Sequence, residues 1–294
     1  MNNLNNYYLT RIINFLKKNY DISLNNKPIT KNHKFTLVIP THGRLECLQR
    51  SIKFFTDLEA DIIYCDSALN KYNGQFAQNM RYIHLPGMKF ESKLKNAFQQ
   101  ANTEFIAICA VDDFAIHDSL YRCAEFLNKN RQYATVLGRF LAFQYHFDGK
   151  FIKMNRHVKI TDFNDKDLKI RVKKYFENFF PVFYAMHKKN ILIEAMDICE
   201  KCNFKNIVFI EMVLSILACA RGYIKVLPYL WGVREYNPAN SGKRKYINRI
   251  YQDRSIKVDF FKMKEMVDKA VYDGYSAFVI NCYLKFCASM GIKY

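Results

Sequence analysis

Two adjacent carboxylates, Asp112 and Asp113, close the apolar run Phe105-Ile-Ala-Ile-Cys-Ala-Val111. Side by side at the end of a buried strand, they repel each other unless something compensates their charge. A divalent cation is the usual compensation, and Mg2+ or Mn2+ takes oxygen ligands together with substrate phosphates. The same pair could instead begin the helix that follows near Leu120, because Asp caps helix N-termini well. Asp66 tips the balance toward the cation. It follows a second short apolar run, Asp61-Ile-Ile-Tyr-Cys65, so acids at the ends of two parallel strands would face one crevice. Glu211 is a different kind of carboxylate, alone in the apolar stretch of residues 207–220. Burial raises a carboxyl pKa toward the range in which it works as a base, whereas a Lys or Arg partner would make it a structural ion pair. The histidines say less. His84, His146 and His187 lie in or beside predicted strands and read as hydrogen-bonded structural residues, and His42 reads as lining a loop.

The elements that must position these groups are written as strand, turn and helix in repetition. Phe35-Thr-Leu-Val-Ile39 is a strand ended by Pro40-Thr-His-Gly-Arg44, and Leu45, Leu48, Ile52 and Phe55 mark a helix. Residues 61–65, 82–85 and 105–111 are further strands, separated by a helix through Leu94, Ala97 and Phe98 and followed by one through Leu120, Cys123 and Leu127. Strands of continuous apolar character alternating with helices indicate an α/β fold with a mostly parallel central sheet covered on both faces. Ligands bind beyond the carboxyl ends of such strands. Those ends carry Thr41, Arg44, Asp66, Asp112 and Asp113. Further on, residues 133–147 and 151–154 are expected to pair antiparallel around Asp148-Gly149. Residues 188–199 and 208–221 read as helices, 224–227 as a strand, and the tail through Ile256, Met263 and Val267 as helical.

Three segments follow: an N-terminal helical appendage over 1–34, a main domain over 35–245, and a C-terminal helical extension over 246–294. In the appendage, Leu9, Ile12, Ile13, Leu16 and Tyr20 recur at helical spacing, either to pack on the main domain or to lie on a membrane surface. Half of the 294 residues are hydrophobic and 16% aromatic, which excludes a solvated disordered chain. The amino terminus lacks the profile of a secretion signal. Residues 207–220 are interrupted by Glu211 and fall short of the roughly 20 apolar residues of a membrane span. Nine cysteines, an odd number, do not form a disulfide framework and point to the cytosol. Cys199 and Cys202 make a lone C-x-x-C, which suits a packed helix face better than a four-ligand zinc site. The net charge of +18 suits nucleic acid, an anionic membrane or a phosphorylated substrate, and part of it reflects the Lys- and Asn-rich usage of an AT-rich genome.

Thr36-Leu-Val-Ile-Pro-Thr-His-Gly-Arg44, Tyr64-Cys-Asp-Ser67 and Ile108-Cys-Ala-Val-Asp-Asp-Phe114 together resemble the GT-A glycosyltransferases of the family-2 type. The likeness is greatest to a bacterial subgroup associated with surface polysaccharide such as capsule or lipooligosaccharide. It continues through Ala134-Thr-Val-Leu-Gly-Arg139, Tyr184-Ala-Met-His-Lys188, Phe209-Ile-Glu-Met212 and Leu227-Pro-Tyr-Leu-Trp-Gly-Val-Arg-Glu-Tyr236, and so covers residues 35–245 approximately. The resemblance implies transfer of a sugar from a nucleotide-diphosphate donor to a glycan or lipid-linked glycan. It implies Mn2+ or Mg2+ as cofactor, and contact of base and ribose with Pro40, Thr41 and Arg44. Asp66 would accept from the base, Lys93 would help hold the diphosphate, and Asp112 and Asp113 would divide the metal and the ribose between them. Where the subgroup shows three consecutive acids, this chain has Val111 at the first.

The chemistry asks for the same parts. A departing nucleoside diphosphate gathers negative charge, which a metal and nearby cations stabilise. Arg234, Lys243 and Arg244 in the late basic loop could close over it, or lie on a solvated basic surface. An inverting transfer needs a base for the acceptor hydroxyl, and Glu211 matches the family's acid at that position. A nucleotidyltransferase would want a glycine-rich loop after the first strand, which Pro40-Thr-His-Gly-Arg44 lacks. A nucleic-acid-binding module would cluster its cations on one element, whereas the 45 basic residues here are spread along the chain. Val111 also leaves open a homologue without catalysis. The expected enzyme is cytoplasmic, binds no nucleic acid, and touches the inner membrane peripherally if at all.

Overall fold

The computed structural model describes residues 34–145, 151–156, 161–180, 182–235 and 253–289. The appendage helix, His146, Lys243 and Arg244 lie outside the described residues. The chain opens with β1 (Thr36–Thr41), α1 (Leu45–Phe54), β2 (Asp61–Asp66), β3 (Met80–His84), α2 (Phe90–Gln100) and β4 (Phe105–Ile108). It continues through β5 (Phe114–Ala115), α3 (His117–Lys129), β6 (Tyr133–Tyr145), β7 (Phe151–Arg156), α4 (Leu168–Phe176) and β8 (Met186–Lys188). Then come α5 (Lys189–Cys202), α6 (Val208–Arg221), β9 (Tyr223–Glu235), α7 (Arg254–Ala270) and α8 (Tyr275–Ser289).

All nine strands form one sheet in the order β3-β2-β1-β4-β8-β6-β9-β5, with β7 added to β6. The pairs β3-β2, β2-β1, β1-β4 and β6-β9 are parallel. Because β8 runs antiparallel to both β4 and β6, β6 and β9 point the same way as the first four. Leu37, Val38, Ile39, Ile62, Ile63, Ile106 and Ala107 are wholly buried. Both faces of these strands are covered, which is why they read as unbroken apolar runs. The expected antiparallel pair is present as β6 and β7.

Two strand boundaries differ from the sequence reading. β4 stops at Ile108, and residues 109–113 turn out of the sheet to carry the paired acids. β9 continues from Tyr223 to Glu235, well beyond the expected 224–227, because register shifts against β6 let it run past Pro228. The C-terminal helices also share the main core. Ile256, Met263, Val267, Tyr275 and Val279 of α7 and α8 are buried in the same apolar cluster as the sheet. α6 is apolar on nearly every side and is buried among α4, α5 and α7, as such a helix must be. Cys199 and Cys202 lie in the core on α5.

Candidate active site

The carboxyl ends of β1 and β2 meet in register, Thr41 opposite Asp66. Pro40 needs no ladder donor there, since the pairing of β1 with β4 has ended at Val38. The chain then turns through Gly43, at φ +65°, a left-handed conformation that glycine adopts without strain. Lys93, from α2, reaches under this turn. Its Nζ donates to Thr41 O at 2.6 Å and to Ser67 Oγ at 2.9 Å, and His42 Nδ1 lies 3.1 Å from the same hydroxyl. Burial lowers the Lys93 pKa, opposed by Cys65 and Asp66. The ammonium is therefore spent inside the protein, tying the β1 loop to the β2 loop. The buried Thr41 Oγ1, in contrast, has no hydrogen-bond partner.

Asp66 is buried and held on both oxygens. Oδ1 accepts from Ala68 N at 2.9 Å and Oδ2 from the Tyr82 hydroxyl at 2.7 Å. Burial, reinforced by Asp66, pushes the Tyr82 hydroxyl up to about 12, so it remains a donor. A carboxylate offers about four acceptor sites, which leaves capacity for a ligand N–H.

The acids Asp112 and Asp113 occupy a turn closed by Asp113 N donating to Ala110 O at 3.0 Å. β5 then pairs antiparallel with β9, Phe114 opposite Val233 and Ala115 opposite Gly232, so Asp113 comes to face Arg234. Gly232 permits the approach, since a Cβ there would lie 2.9 Å from Phe114 O. Arg234 Nε donates to Asp113 Oδ2 at 3.1 Å, and its guanidinium lies 4.5 Å from the centre of the Tyr184 ring. Burial works against the Arg234 charge, but Asp113, Tyr184 and Glu211 outweigh it and raise its pKa. Tyr184 is held in turn by Trp231 Nε1, which donates to its carbonyl at 2.7 Å. Asp112 pairs with Arg44, and Arg50 donates to its carbonyl at 2.9 Å while resting 5.0 Å from the centre of Phe114. Each acid thus has an arginine beside it. Burial, with Asp113 and Asp112 adding to it, pushes the Cys109 thiol up.

Glu211 lies in the first turn of α6, where a carboxylate is favoured by the helix dipole. It is half-buried and not sealed in the apolar segment. Its charge is felt by Arg234, which links it to the acids at the sheet end. Thr41 and Asp66 thus end neighbouring strands, Arg44 joins Asp112 and Arg234 joins Asp113, and Glu211 acts electrostatically on Arg234, while Pro40 and Lys93 are buried. Arg50, Tyr184 and Tyr82, which contact Asp112, Arg234 and Asp66, were missed. Tyr184 stands in a block that carries the resemblance, yet nothing in its spacing pointed to Arg234. Among the described residues no three His, Cys, Asp or Glu gather as a ligand cluster. Two adjacent carboxylates suit a hard cation whose shell is completed by substrate phosphates and water, so the donor set fits Mg2+ or Mn2+.

The sheet and the helices flanking it are those of a GT-A type fold. Residues 36–195, more than half of the chain, match the family described as glycosyl transferase family 2. The chain belongs to that family. Solved structures of S. aureus TarS share the fold. Against TarS the TM-score is 0.50 at 14% identity, over 87% of this chain and 55% of that one. Against TarS 1–349 it is 0.51 at 13% identity, over 88% and 92%. Against TarS 1–349 in complex with UDP it is 0.50 at 13%, again over 88% and 92%. The chain thus spans little more than half of the longer TarS structure. No curated protein matches the sequence.

Proposed function

We propose that this enzyme moves a sugar from a uridine-diphosphate donor to a hydroxyl of a glycan or lipid-linked glycan, with inversion, in the building of a bacterial surface polysaccharide. The carrying observation is the convergence of Asp112, Asp113, Arg44 and Arg234 at the sheet end, with Glu211 in electrostatic reach. The UDP complex of the structural neighbour TarS 1–349 supports the choice of nucleotide. Pro40, Thr41 and Arg44 receive the base and ribose, and Thr41 Oγ1 gains the partner it lacks. Asp66 accepts from the base. Lys93 acts from beneath by fixing the β1 turn, and the diphosphate falls to Arg234, with Lys243 and Arg244 further along the sequence. Asp113, with Asp112, would hold Mn2+ or Mg2+, which when bound neutralises diphosphate charge. Glu211 takes the proton of the acceptor hydroxyl as its oxygen bonds to the anomeric carbon. The carbon–oxygen bond to the diphosphate breaks on the opposite side, and Arg234 meets the charge that appears there.

Nine free cysteines, eight of them buried, fit a reducing cytoplasm. No described helix is long and apolar enough to cross a membrane. The reading therefore places the reaction at the cytoplasmic side, with any membrane contact peripheral. The test is thermal denaturation with UDP, GDP and CDP, with and without Mn2+. Binding to the native state raises stability by about 2.7 kcal/mol at a hundredfold excess over Kd. UDP with metal is expected to raise the melting temperature most, and Asp66→Ala to weaken the rise. If no nucleoside diphosphate shifts it under either condition, the donor site is misassigned.

A further inference from the structure

β3 stands at the edge of the sheet, yet two of its side chains hold one carboxylate of its neighbour from both sides. In the parallel register Tyr64 lies opposite Tyr82 and Asp66 opposite His84, so Asp66, Tyr82 and His84 share a face. The Tyr82 hydroxyl donates to Asp66 Oδ2 at 2.7 Å. On the other side the hold passes through one peptide. His84 Nε2 donates to Ala68 O at 2.8 Å, and Ala68 N donates to Asp66 Oδ1 at 2.9 Å. The rings of Tyr82 and His84 lie nearly parallel, 10° apart with centres 6.2 Å from each other.

The Tyr82 hydroxyl has a second partner. Its oxygen accepts from Tyr72 N at 3.1 Å, in the connection of residues 67–79 that joins β2 to β3. This connection contains no helix or strand but is packed by its own rings. Tyr72 stands edge-on to Phe76 and to Tyr82, and Phe76 stacks on Tyr82 at 5.1 Å and 20°. Gly74 makes room for this packing, since a Cβ there would run into the Tyr72 ring. Loops packed by their own side chains are frequently functional.

A tyrosine hydroxyl has a single proton. With Tyr72 N donating to the oxygen, that proton goes to Asp66. A carboxylate held by a donor on each oxygen cannot rotate, so its remaining acceptor positions keep one direction before any ligand arrives. Such preorganisation raises affinity by removing the ordering that binding would otherwise require.

We propose that Tyr82 is the positioning residue of the base site, fixing Asp66 to receive a ligand N–H, and that the aromatic connection of residues 67–79 holds Tyr82 in that role through Tyr72 N. The inference rests on the reading of Asp66 as the acceptor from the base and deepens it.

The experiment is calorimetric titration of the full chain with UDP and Mn2+, and with pyrophosphate and Mn2+. Tyr82→Phe keeps the ring and its stacking and removes only the hydroxyl. Its UDP affinity should fall about ten-fold, as loss of a hydrogen bond to a charged group implies, while pyrophosphate, which has no base, should bind as before. In an Asp66→Ala background Tyr82→Phe should change UDP affinity little, because residues that act through one another are not additive. Gly74→Ala displaces the Tyr72 ring without touching Asp66 or Tyr82. It should weaken UDP in the same selective way but by less, and it carries the test if Tyr82→Phe does not fold. A Tyr82→Phe protein that melts lower but binds UDP as tightly as the unaltered chain overturns the inference. So do equal losses for UDP and pyrophosphate, or full additivity with Asp66→Ala. If Asp66→Ala by itself leaves UDP affinity unchanged, the base-site reading falls first and the role of Tyr82 with it.

Discussion

At the scale of the residue, the site is a set of carboxylates whose roles are separated by their neighbours. Asp66 is buried and satisfied by protein donors. Asp112 and Asp113 each face an arginine, and Glu211 stands apart on a helix. Glu211→Gln keeps shape and hydrogen-bonding reach but removes basicity. Turnover should fall about 10²–10⁴-fold, equivalent to about 3–5 kcal/mol of barrier, while donor affinity measured on the same protein barely changes. A structural Glu would lower the melting temperature and donor affinity together, and near-normal turnover would remove Glu211 from the mechanism. Arg234 is paired with Asp113, and in the proposed mechanism it would turn to the diphosphate when the donor arrives. Arg234→Lys keeps the charge but loses the flat stacking on Tyr184. We expect kcat to fall about 10²-fold, the cost of removing one preorganised donor. An unchanged kcat with a raised KM would show that Arg234 binds the ground state alone. Asp66, Asp112 and Asp113 stood out in the sequence because they end apolar runs, and Glu211 because it interrupts one. The arginine partners did not, since Arg44–Asp112 and Arg234–Asp113 span long stretches of chain that only the folded sheet brings together.

At the scale of the element, legibility followed burial. β1, β2 and β4 are enclosed on both faces and show it as apolar runs, and the helices show their periodic faces. β5 and β8, two and three residues long, are too short to leave a pattern, yet β5 places Asp113 and β8 joins the two halves of the sheet. His187 marks that join. Its Nε2 donates to Val182 O at 2.9 Å, so Nδ1, 2.8 Å from Thr135 Oγ1, accepts the hydroxyl proton. Both nitrogens are satisfied in the neutral ring, and burial lowers its pKa from 6.5 to about 4. The unfolded ring binds a proton in that interval and the folded one does not, so the group's contribution is full above pH 6.5 and falls as pH drops toward 4. The loss should approach about 3.5 kcal/mol, at about 1.4 kcal/mol for each pH unit of separation. Urea midpoints across this range should show the slope, and His187→Gln should flatten it. An imidazole seen by NMR to titrate near 6.5 in the folded protein would refute the account. Gly232→Ala tests the other join. The added methyl must push β5 from β9 or shift Phe114, which typically costs 1–3 kcal/mol, and the displaced Asp113 should lower turnover beyond that.

At the scale of the whole molecule, the C-terminal helices decide whether the enzyme has one cooperative unit or two. The sequence set them apart as an extension because a polar, basic stretch precedes them, and their periodicity says nothing about which partner they cover. Packing gives the answer. The Tyr275 hydroxyl donates to Ile216 O at 3.3 Å inside α6, and Arg221, at the end of α6, bonds both Glu194 and Ala270 O. α6 is the helix that carries Glu211, so the extension supports the proposed base from behind. A chain ending at residue 252 would uncover the pockets now filled by Ile256, Met263, Val267, Tyr275 and Val279. At about 1.5–3 kcal/mol for each large apolar side chain, that loss is comparable to the whole of the about 5–15 kcal/mol by which a typical domain is stable. We therefore expect the truncated chain to be unfolded or insoluble, and the intact chain to melt in one transition that far-UV and aromatic circular dichroism report alike. Two separated transitions, with UDP shifting only the first, would show instead that α7 and α8 fold on their own.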